Sequence, residues 1–466
     1  MSINIIAACD KNLGIGIDGK LPWKSSLDMK HFKQITSGGI VIMGRCTWES
    51  IPEKYRPLSN RYNIIVSNSL PISEKRLPKS FICTDINHAI RCAKNIAYES
   101  GNTKEIFVIG GSSIYNEVFS RNDIKRLYLT VISGDYTCDR FLNGFNGNFR
   151  LIESINAEEE SLKMKFNTYE SYPNSMANMY LYQYGGLLND ILTNGNVRNG
   201  RNGGTLSVFS RRLEFDLSGG EFPLLTNRNV PLRHVFEELM WMLRGETNTK
   251  ELDKRGVRIW NVNSTREFLD SVGLVDLEEG EIGKTYGHEM RNFNGEIDQV
   301  RELMKGLREN PHGRRHILSL WNPSDLKSCA LPPCVFLYQF YVNNQSIDLQ
   351  INIRSSDVPV ALHWNIAHGA LFLNLVCCML EKAHSAEASH QKWMPGRLIF
   401  NLGDAHIYEP HLEEVRNMAR ELHVLPMPKL SVNSDGVENV WDYKWENIEL
   451  IGYLPRRKKY NLPMVA

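Results

Sequence analysis

The chain has 466 residues, with 54 basic and 53 acidic side chains and a formal net charge of +1. With 42% hydrophobic and 23% charged residues, its composition is that of a folded globular protein, which excludes a disordered, collagen-like or coiled-coil chain. The near-zero net charge gives no electrostatic reason to expect binding to nucleic acid or to an anionic membrane. At about 150 residues per domain, the length predicts two or three domains.

The sequence shows no targeting or membrane-spanning signal. The N-terminus, MSINIIAACDKN, has no basic region, and the longest apolar stretch, Ile366 to Leu380, is too short to cross a bilayer. The nine cysteines include no C-x-x-C pair, and no pair of histidines has the spacing and acid partners of a zinc site. We therefore expect a reduced, cytoplasmic protein without a metal.

The first 170 residues alternate between short apolar runs and amphipathic helices. The predicted strands are Ile3–Cys9, Ile40–Met43, Tyr62–Ser67, Ile106–Ile109 and Arg126–Ile132. This alternation predicts an α/β domain with a mainly parallel sheet over residues 1–170. The stretch Glu170–Met179 contains Pro, Asn and Ser, and we assign residues 171–179 to a short linker.

Residues 180–466 have a different pattern, which predicts a second, α+β domain. Pro231–Arg244 is an apolar helix with Pro at its start and Gly245 just beyond its end. Ser346–Arg354 alternates strictly between apolar and polar residues, which is typical of an antiparallel strand with one polar face.

A glycine motif near the N-terminus resembles a dinucleotide-binding fingerprint but lacks its context. Gly14–Gly19 matches G-x-G-x-x-G and follows a predicted strand. The fingerprint requires that the loop open a helix, whereas here Leu21-Pro22-Trp23 follows it. We interpret the segment as a flexible lid over a site.

The next helix, Ser25–Thr36, carries an acid on its apolar face. Asp28, Phe32 and Ile35 lie at positions i, i+4 and i+7. A buried carboxylate needs a partner, which leaves two readings. Asp28 either forms a structural pair with a Lys or Arg, or it binds the amino-pyrimidine edge of a ligand in an apolar pocket.

Two strand-to-helix turns share a design suited to phosphate. Met43–Thr47 places Arg45 beside a helix start, and Ile109–Ser113 ends a strand with two glycines before the next helix. Glycine at a helix N-terminus exposes free N–H groups at the positive end of the helix dipole. Two such turns in one small domain suggest a dinucleotide.

These motifs together resemble dihydrofolate reductase. The similar segments, in the family's order, are DGKLPW (18–23), Asp28 with Phe32, VIMGRCTWESIP (41–52), RPLSNR (56–61), IFVIGGSSIY (106–115) and LYLT (127–130). The resemblance implies that Asp28 holds the pteridine and promotes protonation of its ring nitrogen. It implies a dihydrofolate pocket formed with Ala8, Leu21, Phe32, Ile51, Arg61 and Thr130, in which Arg61 binds the glutamate carboxylate. It also implies an NADPH site formed by Gly44, Arg45, Thr47, Ser67, Gly110, Gly111, Ser112 and Tyr115, with a Gly110-Gly111 bond that can be cis.

The second half contains a cysteine in a suggestive setting. Cys334 begins an apolar run, where a lone cysteine is usually a small core residue, but Arg314-Arg315 and Arg354 suggest an anion clamp and an activated thiol. Glu238 lies among apolar residues of the helix at 231–244. Asp404, His406 and Tyr408 alternate, so they share one side of an extended strand. Each set could be structural, but together they suit a nucleotide-modifying enzyme.

This half resembles thymidylate synthase. The similar segments are FPLLTNR (222–228), EELMWMLRGETN (237–248), IWNVNSTREFL (259–269), RRHILSLWNP (314–323), ALPPC (330–334), RSSD (354–357), NIA (365–367) and GDAHIYEPH (403–411). The whole chain is therefore similar to the bifunctional reductase–synthases of protists and plants. In that family the synthase makes dihydrofolate and the reductase recycles it.

The resemblance implies that the Cys334 thiolate attacks C6 of dUMP, and that methylenetetrahydrofolate supplies the methylene and the hydride that give dTMP. The nucleotide would be bound by Arg354, Ser355, Asp357, His406 and Tyr408, with Arg314 and Arg315 of the partner subunit, which implies a homodimer through the second half. Asn365 would read the uracil edge, Glu238 and Tyr286 would assist proton transfers, and Trp260 would line the folate site.

Several positions depart from the synthase pattern. Val335 replaces a His after the nucleophile, Ile353 replaces a Gln, and the stretch IGKTYGHEMRNFNG (282–295) stands where LGPVYGFQWRHFGA is usual. The segment VPVALHWN (358–365) replaces LGLGVPFN. We expect a synthase half that binds dUMP with weakened folate affinity. The alternative is an active reductase fused to a catalytically silent dimerisation scaffold.

Overall fold

The computed structural model describes residues 2–70, 77–119, 121, 123–143, 148–172, 175–200, 203–385, 393–422, 425–456 and 459–465, with the backbone alone for 382–385. The chain passes from one compact unit to a second between Ser175 and Met176. The stretch assigned to the linker, 171–179, includes the last residue of a strand and the first residues of a helix that starts at Met176.

The first unit is built on one large sheet with helices. Its elements are β1 (Ile3–Asp10), β2 (Gly14–Gly16), α1 (Ser26–Thr36), β3 (Ile40–Gly44), α2 (Arg45–Ser50), β4 (Tyr62–Val66), β5 (Ser80–Cys83), α3 (Ile86–Glu99), β6 (Ile106–Val108), α4 (Ser112–Phe119), β7 (Ile124–Ile132), β8 (Arg140–Phe141), β9 (Phe149–Glu159) and β10 (Leu162–Ser171). The eight-stranded sheet has the order β5-β4-β3-β6-β1-β7-β10-β9.

Six neighbouring strands of this sheet, from β5 to β7, run parallel, and β10 and β9 close the sheet as an antiparallel edge. The predicted mainly parallel α/β fold is therefore confirmed. The central strands are buried over nearly their whole length, which is why they appear in the sequence as continuous apolar runs. The edge strand β9 carries several exposed polar residues, so its sequence gave no comparable signal.

The second unit combines helices with a six-stranded sheet. Its elements are α5 (Met176–Tyr180), α6 (Gly186–Asn194), β11 (Asn196–Gly200), β12 (Gly203–Asp216), α7 (Leu232–Leu243), α8 (Thr249–Lys254), α9 (Arg266–Ser271), α10 (Gly287–Arg291), α11 (Gln299–Glu309), β13 (Ile317–Ser319), β14 (Val335–Asn343), β15 (Ser346–Asp357), α12 (His363–Ser385), β16 (Met394–Tyr408), α13 (Leu412–Arg420), β17 (Lys429–Val432) and β18 (Ile448–Ile451). The large sheet has the order β11-β12-β16-β15-β14-β13, which confirms the α+β prediction.

Two helices and this sheet form the core of the second unit. The helix α7 starts after Pro231 and ends before Gly245, as predicted. The segment Val358–Glu381 has the length and mean hydropathy of a membrane span, but 72% of its most apolar window is buried inside the protein. The central helix of a folded core has the same properties, so this segment is weak support for a membrane location.

The strand predicted at Ser346–Arg354 extends to Asp357 and has two kinds of neighbour. It pairs antiparallel with β14, as expected, and parallel with β16. Its apolar side chains are buried, and Asn352 on the opposite face forms a 3.1 Å hydrogen bond with Asn401 of β16. The parallel pairing is important for the site, because it places the end of β15 beside the end of β16.

Two candidate active sites

A cleft of about 2200 Å³ opens in the first unit. Pockets for one small ligand are usually about 300–1,000 Å³, so this cleft has room for two ligands side by side. All the residues predicted for the reductase site line it: Ala8, Leu21, Asp28, Phe32, Gly44, Arg45, Thr47, Ile51, Arg61, Ser67, Gly110, Gly111, Ser112, Tyr115 and Thr130. The structure thus brings them together in one cavity.

Asp28 is a buried acid at the start of α1. The hydroxyl of Ser25 accepts a hydrogen bond from the Asp28 backbone N–H at 3.0 Å and caps the helix. Burial raises the pKa of the Asp28 carboxyl, and a hydrogen bond with Thr130 opposes that shift. In the described part of the chain Asp28 forms no ion pair. Of the two readings from sequence, the structural Lys or Arg pair is therefore not what the fold contains.

Arg61 supplies a cation to the same cleft. It is only 6% exposed, and its guanidinium donates to the Thr36 hydroxyl at 2.8 Å and to the Ser59 carbonyl at 3.1 Å. The guanidinium lies 5.5 Å from the ring centre of Phe32. Among the described residues no acid pairs with Arg61, and burial lowers its pKa. A buried arginine without an acid partner suits an anionic ligand group such as a carboxylate.

The two turns that were predicted to bind phosphate lie next to each other. The Gly44 N–H donates to the Gly110 carbonyl at 2.7 Å, and the Gly110-Gly111 peptide is cis. A Cβ added to Gly111 would lie 3.1 Å from the Thr47 hydroxyl, so only glycine fits without displacing it. This arrangement leaves space and backbone N–H groups at the start of α4, which fits the phosphates of NADPH.

The glycine motif at residues 14–19 is part of a small antiparallel arrangement. Its strand β2 pairs with β8, and Ile17 and Lys20 exchange hydrogen bonds of 3.0 and 2.9 Å across a turn. The next helix begins only at Ser26, which agrees with the rejection of a dinucleotide fingerprint. Leu21 is 50% exposed at the cleft.

The second unit contains a continuous chain of contacts among predicted residues. Glu238 on α7 accepts a 2.8 Å hydrogen bond from the Trp260 indole, and the Trp260 ring packs edge-on against Tyr286 at 5.4 Å. The Tyr286 hydroxyl accepts from the Cys334 backbone N–H at 2.9 Å. The Arg354 guanidinium lies 3.7 Å from the Cys334 sulfur. The thiol, the acid and the arginine therefore belong to one site.

The thiol of Cys334 is half-buried beside Arg354. Burial raises the pKa of Cys334, whereas the nearby Arg354 lowers it. The net direction is upward, although Arg354 acts on the thiol in the predicted direction, and the activation of Cys334 as a nucleophile stays a prediction. Arg354 also donates to the carbonyls of Pro332 and Pro333, at 2.8 and 3.0 Å, which fixes its head beside the sulfur.

The polar ends of β15 and β16 lie side by side. The Nδ1–H of His406 donates to the Asp404 carboxylate at 2.8 Å, and the His406 ring lies 5.1 Å from the Tyr408 ring, so the predicted shared side is confirmed. Asp357 is the register partner of His406. Burial raises the pKa of Asp357 to about 6, opposed by His406 and His411. One Asp357 oxygen is buried without a hydrogen-bond partner among the described residues.

Of the other predicted residues, Ser355 and Asn365 lie on elements of this site, and Arg314 and Arg315 lie elsewhere. Ser355 is the register partner of Asp404, and Asn365 lies half-buried in the first turn of α12 with no hydrogen bond to the described residues. Arg314 and Arg315 are exposed just before β13, and the described part of the chain gives them no ion pair. Their expected role across a subunit boundary stays a prediction.

The divergent stretch 282–295 brings new charges beside this site. Ligand atoms of His288, Glu289 and Asp325 lie within 4.8 Å of one another. The ammonium of Lys284 lies 3.0 Å from one Asp325 oxygen, and the Asn322 amide donates to the other at 2.8 Å. Because both Asp325 oxygens are engaged and a cation is already present, we assign a charge network rather than a metal site.

Sequence reasoning missed two residues here. Trp364 donates an indole hydrogen bond of 2.5 Å to Glu238, although its segment had been noted as divergent. The ring of Trp321 lies 6.0 Å from the Arg354 guanidinium. Both contacts join residues far apart in the chain, and neither position has a spacing or pattern that reveals them.

Comparison with known proteins matches each half of the chain to a family. The family model described as dihydrofolate reductase matches residues 2–171, and the model described as thymidylate synthase matches residues 182–466. Bifunctional dihydrofolate reductase-thymidylate synthase 2 of Arabidopsis thaliana is 33% identical over 97% of the chain and 87% of its own length. The bifunctional enzyme of Paramecium tetraurelia is 34% identical over 97% and 96%, and that of Plasmodium chabaudi is 29% identical over 100% and 97%.

Proposed function

Because the chain belongs to the family of bifunctional dihydrofolate reductase–thymidylate synthases, we propose that it carries out both reactions. It is an enzyme with a reductase domain that uses NADPH and a synthase domain that uses methylenetetrahydrofolate. The proposed reactions are the reduction of dihydrofolate to tetrahydrofolate and the reductive methylation of dUMP to dTMP. Both substrates are small molecules.

The reductase proposal rests on Asp28, a buried acid that has no cationic partner among the described residues and lies in a cleft wide enough for two ligands. NADPH, when bound, supplies the hydride. Asp28 would hold the amino-pyrimidine edge and favour a proton on the adjacent ring nitrogen, because its raised pKa favours a shared proton. Phe32 and Ile51 would enclose the ring, and Arg61 would bind the carboxylate tail. The glycines at 110 and 111, with Thr47, would cradle the cofactor's phosphates.

The synthase proposal rests on the contact chain from Glu238 to Arg354. The sulfur of Cys334 would bond to C6 of dUMP, and C5 would then bond to the methylene carbon of the folate. Loss of the C5 proton would expel tetrahydrofolate and leave an exocyclic methylene on C5. Hydride transfer from that tetrahydrofolate to the methylene, with release of the Cys334 thiolate from C6, would give dTMP and dihydrofolate. Arg354 would bind the phosphate and Asn365 the uracil edge. Glu238 and Tyr286 would serve the proton transfers.

A tritium-release assay tests the synthase proposal. The full-length protein is incubated with dUMP tritiated at C5 and methylenetetrahydrofolate, beside a Cys334→Ala variant, and tritium in water is counted. We expect release from the wild-type protein and none from the variant. No release from protein that still oxidises NADPH in the presence of dihydrofolate would refute synthase activity.

One observation favours a second candidate, a working reductase joined to a weak or silent synthase scaffold. The pKa of Cys334 is raised, and two of the three arginines expected at the phosphate site, Arg314 and Arg315, are exposed and form no ion pair with the described residues. Calorimetry with dUMP, with and without a folate analogue, separates the candidates. Mutual tightening of the two ligands supports a competent synthase, whereas dUMP binding unaffected by the analogue supports the scaffold.

We further propose a cytoplasmic homodimer assembled through the second unit. Strands of its large sheet carry exposed apolar side chains: Val197 is 80% exposed, Phe209 73% and Tyr341 59%. Exposed apolar groups on one sheet are typical of an interaction surface. Sedimentation velocity gives the mass directly, and a monomer would leave Arg314 and Arg315 without a phosphate to bind.

A further inference from the structure

The buried acid Glu238 accepts hydrogen bonds from two tryptophan indoles. It lies on α7, is only 5% exposed, and in the described part of the chain forms no ion pair. One carboxylate oxygen accepts from the Trp260 indole at 2.8 Å, and the other accepts from the Trp364 indole at 2.5 Å. Indole N–H groups donate and never accept, so both bonds favour the ionised carboxylate.

The two indoles reach the acid from separate elements. Trp260 precedes a short helical turn at Asn261–Ser264, whereas Trp364 lies in the first turn of α12, immediately before Asn365. Two donors fixed by different elements define both the position of the carboxylate and its rotation. The segment that contains Trp364 reads VPVALHWN where the synthase family usually has LGLGVPFN, so the second donor stands where a Phe is usual.

Of the described groups around Glu238, only the two indoles favour its charged form. Burial raises the pKa of Glu238, and the hydrogen bonds from Trp364 and Trp260 oppose the rise. The nearby titratable groups are the phenols of Tyr286 and Tyr338, and burial raises the pKa of each, so both stay neutral. Among the described residues no cation contributes to the pKa of Glu238, and the hydrogen bonds from the two indoles oppose the effect of burial.

We propose that Trp364 is a positioning residue of the synthase site: its indole N–H holds one oxygen of Glu238 while Trp260 holds the other. The carboxylate is thereby kept in one charge state and one orientation beside Tyr286. The consequence for catalysis rests on the proposed synthase function, but the effect on the Glu238 carboxylate does not. A role in packing alone would need the ring of Trp364 and not its N–H.

The variant Trp364→Phe removes the N–H and keeps an aromatic ring. Infrared spectra of the full-length protein, recorded across a pH series, report the carbonyl band of protonated Glu238, identified as the band that Glu238→Gln lacks. We expect Trp364→Phe to raise the titration midpoint by about one to two pH units, the effect of losing one hydrogen bond to a charged group. An unchanged midpoint in a folded variant overturns the proposal.

A matched control distinguishes this effect from the general loss of a buried indole. Trp241 is buried in the same helix as Glu238 and donates to the Asn248 carbonyl at 3.1 Å. Trp241→Phe should leave the Glu238 midpoint where it is in the wild-type protein. A rise equal to that of Trp364→Phe would show that the shift reflects loosened packing, and would overturn the proposal.

Two further measurements keep the inference testable if Trp364→Phe does not fold or the synthase does not turn over. In wild-type protein labelled with 15N at indole nitrogens, two Nε1–H signals should titrate with the midpoint of Glu238 and lose that response in Glu238→Gln. If only one signal responds, the two indoles do not both bind Glu238, and the proposal is wrong. Where tritium is released, Trp364→Phe should shift the acidic limb of kcat/KM upward by about one unit, with a smaller change in the KM for dUMP. If wild-type protein releases no tritium, the synthase activity fails, and the infrared and indole titrations decide the role of Trp364.

Discussion

The substitution Glu289→Gln tests whether a buried acid in the divergent stretch 282–295 lowers the free energy of unfolding. Glu289 lies on α10, is 1% exposed, and neither carboxylate oxygen has a hydrogen-bond partner among the described residues. Burial, followed by the charge of Asp325, raises the pKa of Glu289 to about 7, and the nearby Asn322 and Lys284 oppose the rise. His288, whose pKa is lowered by burial, adds no compensating charge at neutral pH.

The magnitude follows from linkage between protonation and folding. The pKa of this acid rises from 4.5 to about 7, which at about 1.36 kcal/mol per unit costs up to about 3.4 kcal/mol. Below pH 4.5 the acid is neutral in both states and costs nothing. As the pH rises towards 7, the unfolded chain ionises first and stability is lost, and above 7 the loss is complete. Gln does not titrate, so the advantage of the variant should be about 2.5 kcal/mol larger at pH 8 than at pH 5.

Urea unfolding at pH 5 and pH 8, followed by tryptophan fluorescence, measures the difference. Seven of the nine tryptophans lie after Ser175, so the signal reports mainly on the second unit. Protein concentration is held fixed, because subunit association would change apparent stability. Glu279→Gln, which removes an exposed acid from the preceding loop, is the control. If Glu289→Gln raises the free energy of unfolding equally at both pH values, or not at all at pH 8, ionisation of Glu289 does not destabilise the protein.

Other substitutions test the two sites and the core. Asp28→Asn should lower kcat for dihydrofolate reduction by about 10²–10⁴ with NADPH affinity unchanged, as a fluorescence titration would show. Arg61→Met should raise the KM for dihydrofolate at least about tenfold with a smaller effect on kcat; the reverse would contradict a binding role. Cys334→Ala should abolish tritium release and leave NADPH oxidation intact. Asp348→Ala removes a buried acid that Arg397 holds at 2.7 and 2.9 Å, and should cost about 2 kcal/mol in urea unfolding, part of which Arg397→Met in the same chain should recover.

The sequence predicted most of the first unit because its signals are local. Strands buried on both faces appear as apolar runs, and Asp28 stands out because an acid breaks the apolar face of its own helix. The antiparallel edge formed by β9 and β10 was not predicted, since exposed alternating residues there resemble loop sequence. The segment at 14–19 was expected to be a flexible lid, and its pairing with β8 depends on residues more than 120 positions away.

For the second site, the sequence predicted which residues take part but not how their pKa values shift. Periodicity placed Asp404, His406 and Tyr408 on one side of a strand, and the structure agrees. The direction in which the pKa of Cys334 shifts was not predictable, because burial depends on packing from several elements and here outweighs Arg354. The indole of Trp364 was missed for the same reason: its partner lies on another helix, 126 residues earlier.

The buried acids of the second unit bear on whether it is a scaffold. A dimerisation scaffold has no use for Glu238 or Asp357, and an uncompensated acid in such a place destabilises the fold. Apolar residues of similar volume would be more stable at those positions. The chain instead surrounds Glu238 with two indole donors and sets Asp357 beside His406 and His411. Glu238 is also linked through Trp260 and Tyr286 to Cys334. Stability given up at such groups is the pattern of a site under functional constraint, which favours an active synthase over a silent one.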